Sequence, residues 1–252
     1  MSKRACEVID LVDTVSGYTT YIDLIRPLIK NKNIISTPMT KEVERVEAAV
    51  DAACSGKSCA IISSGDPGIY AMATLVFEVC KTKNITVIPL SLSKSDNTSS
   101  KSSLGVEIVP GIPALCSGAA LLGAPLSHDF AAISLSDLLT PWDLIEQRIE
   151  AAAKADFVIV MYNPKSKKRN QHLEKAQKII LRYKDKNTPV GIVTGAMRKN
   201  QDVQIITLEN LHLAPVNMQT TVFIGSSASM VYQGYMVTPR GYSKKYTFDR
   251  KK

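Results

Sequence analysis

Apolar positions along this chain fall into two spacings. Short unbroken runs of apolar or β-branched residues, such as Cys59–Ile62, Ala131–Leu135, Phe157–Met161, Val190–Val193 and Thr220–Ile224, have the length of strands and are too short for helices. Ile85–Leu92, Val106–Val109 and Gln204–Leu208 read the same way. Between them the period lengthens. Glu42–Val50 is a helix with an acidic first turn, and Gly56 lies beyond its end. From Ile69 the spacing is helical, with Ile69, Met72, Ala73 and Val76 on one face. Further helices are predicted over Ala114–Leu122, over Trp142–Ala155 with Thr140 as N-cap and Pro141 at N1, and over Gln171–Tyr183. Residues 4–30 read as helical fragments around Gly17. Strands alternating with helices, and polar or Gly-containing loops at strand ends, predict α/β architecture in two domains, 1–117 and 118–252. The pattern starts afresh after Gly123-Ala124-Pro125. Ser91–Ser103, rich in Ser, Lys, Asp and Asn, is expected to be a mobile surface loop.

The stretch that concentrates candidate chemistry follows Cys59–Ile62, which is expected to be a buried parallel strand. Ser63-Ser64-Gly65 breaks the apolar run, and Asp66-Pro67-Gly68 is a turn because Pro67 fixes φ and Gly68 tolerates positive φ. Loops at the carboxyl ends of strands are where open α/β sheets bind ligands. The loop is neither a P-loop nor a Gly-x-Gly-x-x-Gly turn. Taken alone, it reads equally as a plain strand-to-helix connection. Pro110-Gly111-Ile112-Pro113-Ala114 is a second constrained turn, opening a helix of small residues that lets a ligand or a neighbouring element come close.

Composition narrows the classes. The chain has 252 residues, 45% of them hydrophobic, and a formal net charge of +8. That charge implies an anionic partner: nucleic acid, an anionic membrane or a small polyanion. Aromatic residues make up only 6%, which argues against stacking platforms for single strands. No apolar run is long enough to span a bilayer, and the N-terminus has no secretory leader pattern. Five cysteines without a Cys-x-x-Cys pair are expected to be free, buried thiols in a reducing, cytoplasmic setting. His128, His172 and His212 lack metal-ligand spacing, so no protein-held metal is expected.

Several segments together resemble the tetrapyrrole methylases of cobalamin biosynthesis, in particular the branch that methylates C17. They are Ser63-Ser-Gly-Asp-Pro-Gly-Ile-Tyr70, Val109-Pro-Gly-Ile-Pro-Ala114, Gly123-Ala-Pro-Leu-Ser-His-Asp-Phe130, Ile133-Ser-Leu-Ser-Asp-Leu-Leu-Thr-Pro-Trp142, Tyr162-Asn-Pro-Lys-Ser-Lys-Lys-Arg169, Pro189-Val-Gly-Ile-Val193 and Val237-Thr-Pro-Arg-Gly-Tyr242. The resemblance implies two α/β domains with S-adenosylmethionine in a cleft between them, a homodimer, and no membrane or nucleic-acid partner. It implies methyl transfer from the sulfonium to C17 of a precorrin or cobalt-factor macrocycle, with ring contraction. Carried over by position, the cofactor contacts fall at Ser64, Gly65, Asp66, Ile69, Pro113, Ala114, Tyr162, Ala196 and Gly225, largely through backbone. Asp66 is expected to act as an acceptor for the cofactor.

Aligning sulfur, methyl and carbon is the protein's main task in such chemistry, so no nucleophilic Ser or Cys is expected. Ser136 and Asp137 are the candidates for a polar group assisting contraction; Asp137 also reads as a simple helix-entry residue. An anionic tetrapyrrole would pair with Lys165, Lys168, Arg169 and Arg198 after strand ends. A run of such cations is more usually a solvated helix face. The family pattern opens with a strand and a Gly-x-Gly-Pro-Gly-Asp loop, and the sequence ahead of Arg4 does not carry them. Two other readings stand beside the methyltransferase: a catalytically impaired homologue serving as a dimer subunit, and a basic nucleic-acid-binding protein using Lys165–Arg169 and the Arg250-Lys-Lys tail.

Overall fold

In the computed structural model, residues 1–90, 103–166 and 169–246 are described. The expected loop at 91–102, Lys168 and the basic tail lie outside them. The chain divides into two compact α/β units, Met1–Pro113 and Ala114–Lys252. The boundary falls at Pro113 rather than after residue 117, because the helix that begins at Ala114 packs Leu115 and Leu122 into the second unit's core.

The first unit runs α1 (Lys3–Leu11), β1 (Thr14–Tyr18), α2 (Thr19–Ile25), β2 (Asn33–Thr37), α3 (Glu42–Cys54), β3 (Cys59–Ile62), α4 (Ala73–Thr82), β4 (Thr86–Pro89) and β5 (Ser103–Val106). Its strands form two parallel pieces, β2-β1-β3 and β4-β5. Residues alternate across the strands. Ala60 and Ile62 pack on a cluster of Ile9, Val12, Val15, Ile22 and Ile29, while Ile61 packs on Val46, Val50, Val79 and Cys80.

Four expectations fail here. The strand expected over Val106–Val109 lies instead at Ser103–Val106. Residues 4–30 are not wholly helical, since β1 occupies Thr14–Tyr18 at the centre of its sheet. Gly17 is needed there: a Cβ would lie 2.6 Å from Ile62 Cγ1 of the neighbouring strand. The helix after the first loop starts at Ala73, not Ile69. Asp66 Oδ1 accepts from Gly68 N at 2.8 Å and Tyr70 sits at φ 52°, so residues 66–72 form a turn and Ile69 is exposed. The run Cys59–Ile62 is a parallel strand, yet all four residues are only half-buried. Beside it lies a cavity of about 930 Å³, bordered by β3 on one side and by β4 and β5 on another. Among the described residues no strand precedes α1, and β3 is an edge.

The second unit runs α5 (Ala114–Leu122), β6 (Gly123–Ala124), β7 (Phe130–Ser134), α6 (Trp142–Lys154), β8 (Val158–Tyr162), α7 (His172–Ile180), β9 (Pro189–Thr194), β10 (Asp202–Thr207), β11 (Thr220–Ile224), β12 (Met230–Tyr232), β13 (Tyr235–Val237) and α8 (Tyr242–Lys245). Pro141, not Thr140, occupies the N-cap of α6. The main sheet has the order β10-β9-β11-β8-β7. Only β7 and β8 pair in parallel; β11 is antiparallel to both β8 and β9, so β7, β8 and β9 all run the same way. Ile159 and Met161 face one apolar cluster and Val160 the other, so the sheet is covered on both sides.

The cysteines are free as expected, but only Cys80 is buried; Cys6, Cys54 and Cys116 are exposed. Cys59 is half-buried, and its burial pushes the thiol up to about 11. No helix among the described residues is long and apolar enough to cross a membrane, and no group of His, Cys, Asp and Glu there is arranged to hold a metal ion.

Candidate functional site

In the first unit, two separate turns are joined through one carboxylate. Asp66 accepts from Gly68 N through Oδ1 and from Gly111 N through Oδ2, both at 2.8 Å. Gly111 has no alternative at this junction, since a Cβ would lie 2.0 Å from the carbonyl oxygen of Gly65. Ser64–Ile69 and the Pro110–Pro113 turn therefore form one surface, built at the carboxyl end of β3. Both oxygens of Asp66 are already engaged by backbone N–H groups, so its visible role is to organise the loops. Ser64, Gly65 and Ile69 are exposed, and Pro113 is half-buried. The exposed part of this surface is thus largely backbone and small side chains.

In the second unit, the common direction of β7, β8 and β9 gathers their following residues on one edge. Ser136 and Asp137 follow β7, Tyr162 closes β8, and Ala196 and Arg198 follow β9. Tyr162 Oη accepts from Leu115 N at 2.8 Å, fixing the start of α5 next to Ala114. Gly195 adopts φ 59° and Met197 φ 59°, which turns the chain sharply around Ala196. Gly225 is not on this edge. It follows β11, which runs the opposite way, and its N–H donates to Pro189 O at the beginning of β9. By the strand register Tyr162 lies level with Thr221, so Gly225 is about four residues, roughly 13 Å, further along.

The basic run after β8 also divides. Lys165 is exposed, and Lys168 lies outside the described residues. Arg169 is turned inward by a tight loop, in which Ser166 N donates to Arg169 O at 2.9 Å and Arg169 N to Ser166 O at 3.2 Å. Its guanidinium donates to Ser136 Oγ at 3.0 Å and to Asn163 O at 3.4 Å, and Nη1 stands 3.7 Å from Asp137 Oδ1. With its side chain 7% exposed, Arg169 is buried structure rather than a free cation for substrate carboxylates. Arg198 is half-buried.

The network continues to residues that sequence reading did not single out. His172 Nε2 stands 3.0 Å from Asp137 Oδ2, and Asn163 Nδ2 donates to Ser134 Oγ at 3.0 Å. Burial pushes the Asp137 carboxyl up, but hydrogen bonds from His172 and from its own backbone, with the charge of Arg169, outweigh it and hold the group below the usual carboxylate value. No local signal in the sequence marks His172, because its partner lies 35 residues away.

Comparison with known proteins follows these features. The family model described as Tetrapyrrole (Corrin/Porphyrin) Methylases matches residues 1–212. A cobalt-factor III methyltransferase of Priestia megaterium is 46% identical over 99% of this chain and 44% of its own length. A probable cobalt-factor III C(17)-methyltransferase of Salmonella typhimurium is 43% identical over 96% of this chain and 94% of its own. The chain thus spans less than half of the former relative and nearly all of the latter. Among solved structures, that of the methyltransferase CobJ superposes with a TM-score of 0.82 at 27% identity, covering 95% of this chain and 93% of that one.

Proposed function

This chain belongs to the tetrapyrrole (corrin/porphyrin) methylases, and on that premise we propose that it methylates C17 of cobalt-factor III or precorrin-3B, using S-adenosylmethionine, with contraction of the macrocycle. The observation that carries the reading is the 43% identity, over nearly the whole of both chains, to the Salmonella protein named a probable cobalt-factor III C(17)-methyltransferase. The geometry supports it in each unit. Small, exposed turns clasped by Asp66 offer backbone contacts to the donor, through Ser64, Gly65, Ile69 and Pro113. In the second unit, Ala114, Tyr162 and Ala196 are the donor contacts that the family resemblance implies, and Ser136 and Asp137 follow a strand running the same way as those before Tyr162 and Ala196.

The donor, when bound, supplies a methyl group on a positively charged sulfur, so the carbon–sulfur pair leaves with sulfur as C17 takes the methyl. The chain's own residues orient the two partners and exclude water. Of the cations expected to pair with the acetate and propionate groups of the macrocycle, Lys165 and Arg198 remain in this reading. The homodimer implied by the family resemblance has a candidate surface in the hairpin β12–β13, where Val231, Tyr232 and Tyr235 are all more than half exposed.

The test supplies purified protein with cobalt-factor III and methyl-labelled S-adenosylmethionine. Label entering a new tetrapyrrole species, lost when either substrate is omitted, is the expected outcome; folded protein that transfers no label to cobalt-factor III or precorrin-3B overturns the reading. An impaired homologue retained as a dimer subunit is the alternative outcome. Titration calorimetry separates the two, since that subunit would give no heat with S-adenosylmethionine.

A further inference from the structure

The carboxylate of Asp137 is presented in an unusual manner for a helix-entry residue. Its side chain is 39% exposed, whereas its two partners are not: Arg169 is 7% and His172 15% exposed. An exposed aspartate is normally free to swing between rotamers, and a pair made with an exposed cation contributes little. Here one oxygen faces the His172 ring and the other the Arg169 guanidinium, so the group is held from behind and open in front.

The ring that holds it is itself fixed. Trp142 packs edge-on against His172 with centroids 4.3 Å apart, and the indole N–H is anchored to Glu146 Oε1 at 2.6 Å. His172 Nδ1 is buried and has no hydrogen-bond partner among the described residues. A proton there would be a buried donor without an acceptor, which costs about 1–3 kcal/mol. The tautomer with hydrogen on Nε2 avoids that cost and aims its donor at Asp137.

We propose that His172 is a positioning residue that, as the neutral Nε2–H tautomer and together with Arg169, locks the Asp137 carboxylate in place beside the reacting macrocycle. This rests on the methyltransferase reading and on Asp137 facing the substrate. A ring kept only for packing against Trp142 would serve equally well without its nitrogens, and that difference is measurable.

Two variants separate the roles. His172→Phe keeps an aromatic ring against Trp142 and removes the donor; His172→Gln removes the ring and keeps an N–H donor. With labelled methyl transfer to cobalt-factor III as readout, His172→Phe is expected to lower kcat by roughly 10- to 100-fold with KM for both substrates within about twofold. His172→Gln should recover most of that loss, while both variants melt cooperatively. Unchanged kcat in His172→Phe, or no recovery in His172→Gln, overturns the inference. Should the wild-type protein transfer no methyl group, the functional reading fails while this inference stays testable by 15N NMR of the imidazole. An Nε2–H tautomer that changes in Asp137→Asn supports it, and an Nδ1–H tautomer or an Asp137-independent spectrum overturns it.

Discussion

In the second unit, β9 and β11 are buried at every residue and β8 at all but Tyr162. In the first, β1 reaches that depth, but β3 has no fully buried residue and β4 and β5 consist of half-buried and exposed residues. The strands concerned are similarly apolar, so the difference does not lie in composition. It lies in continuity. A central strand is covered by neighbours at both edges, and β8, β9 and β11 each have two, whereas among the described residues β3 has β1 alone and borders a cavity. A parallel strand needs both edges and both faces covered to be buried.

The contrast can be broken most strongly from the second unit. Lys184, 2% exposed, reaches Asp156 Oδ1 at 3.0 Å, and the same carboxylate accepts from Ser227 N and Oγ. Asp156→Ala leaves a buried ammonium without its carboxylate, and should cost about 3–4 kcal/mol in urea denaturation. In the first unit the corresponding weak point is Gly111. Gly111→Ala drives a Cβ into the Gly65 carbonyl, and should cost about 2 kcal/mol and weaken S-adenosylmethionine binding roughly tenfold by calorimetry. If that affinity is unchanged, the Asp66-clasped turns are not where the donor sits.

The comparison can also be sharpened. Amides of β3 and β5 should exchange with solvent faster than those of β8 and β9, because local stability follows coverage. Equal exchange rates in β3 and β8 would mean that the open edge of β3 is covered.

The smallest effect is in acid. Burial raises the Asp156 carboxyl, but hydrogen bonds from Ser227 and Lys184 and the Lys184 charge bring it below the ordinary carboxylate value. A depressed folded value makes the unfolded chain the better proton acceptor, so its stabilisation is complete above the unfolded value of about 4 and is lost as pH falls through the folded one. Stability of the wild-type protein should therefore fall more steeply below about pH 4 than that of Asp156→Asn.

Much of this was legible locally. The turn at Asp66-Pro67-Gly68, the strands at Phe157–Met161 and Thr220–Ile224, and the helix of small residues from Ala114 all stand where spacing and turn chemistry put them. Those features depend on a residue and its near neighbours, and the motifs that resemble the methylases are of the same local kind. What spacing misread was β1: Val15 continues a helical period from Val12, the residue that caps the end of α1, until a partner strand is present to bury it. Gly225 illustrates the same limit for the site: it follows a strand as Tyr162 does, but strand direction places it at the other end of the sheet.

By itself, then, the sequence determined the α/β alternation, the tight turns at Asp66 and Gly111 and the resemblance to the methylases. Only the tertiary structure decided that Asp66 spends both oxygens on joining two turns, that Arg169 faces inward, and that His172 meets Asp137 across 35 residues. The physical reason is that hydrogen bonds and burial act through space, and a one-dimensional pattern carries neither the direction of a strand nor the partner that folding brings beside it.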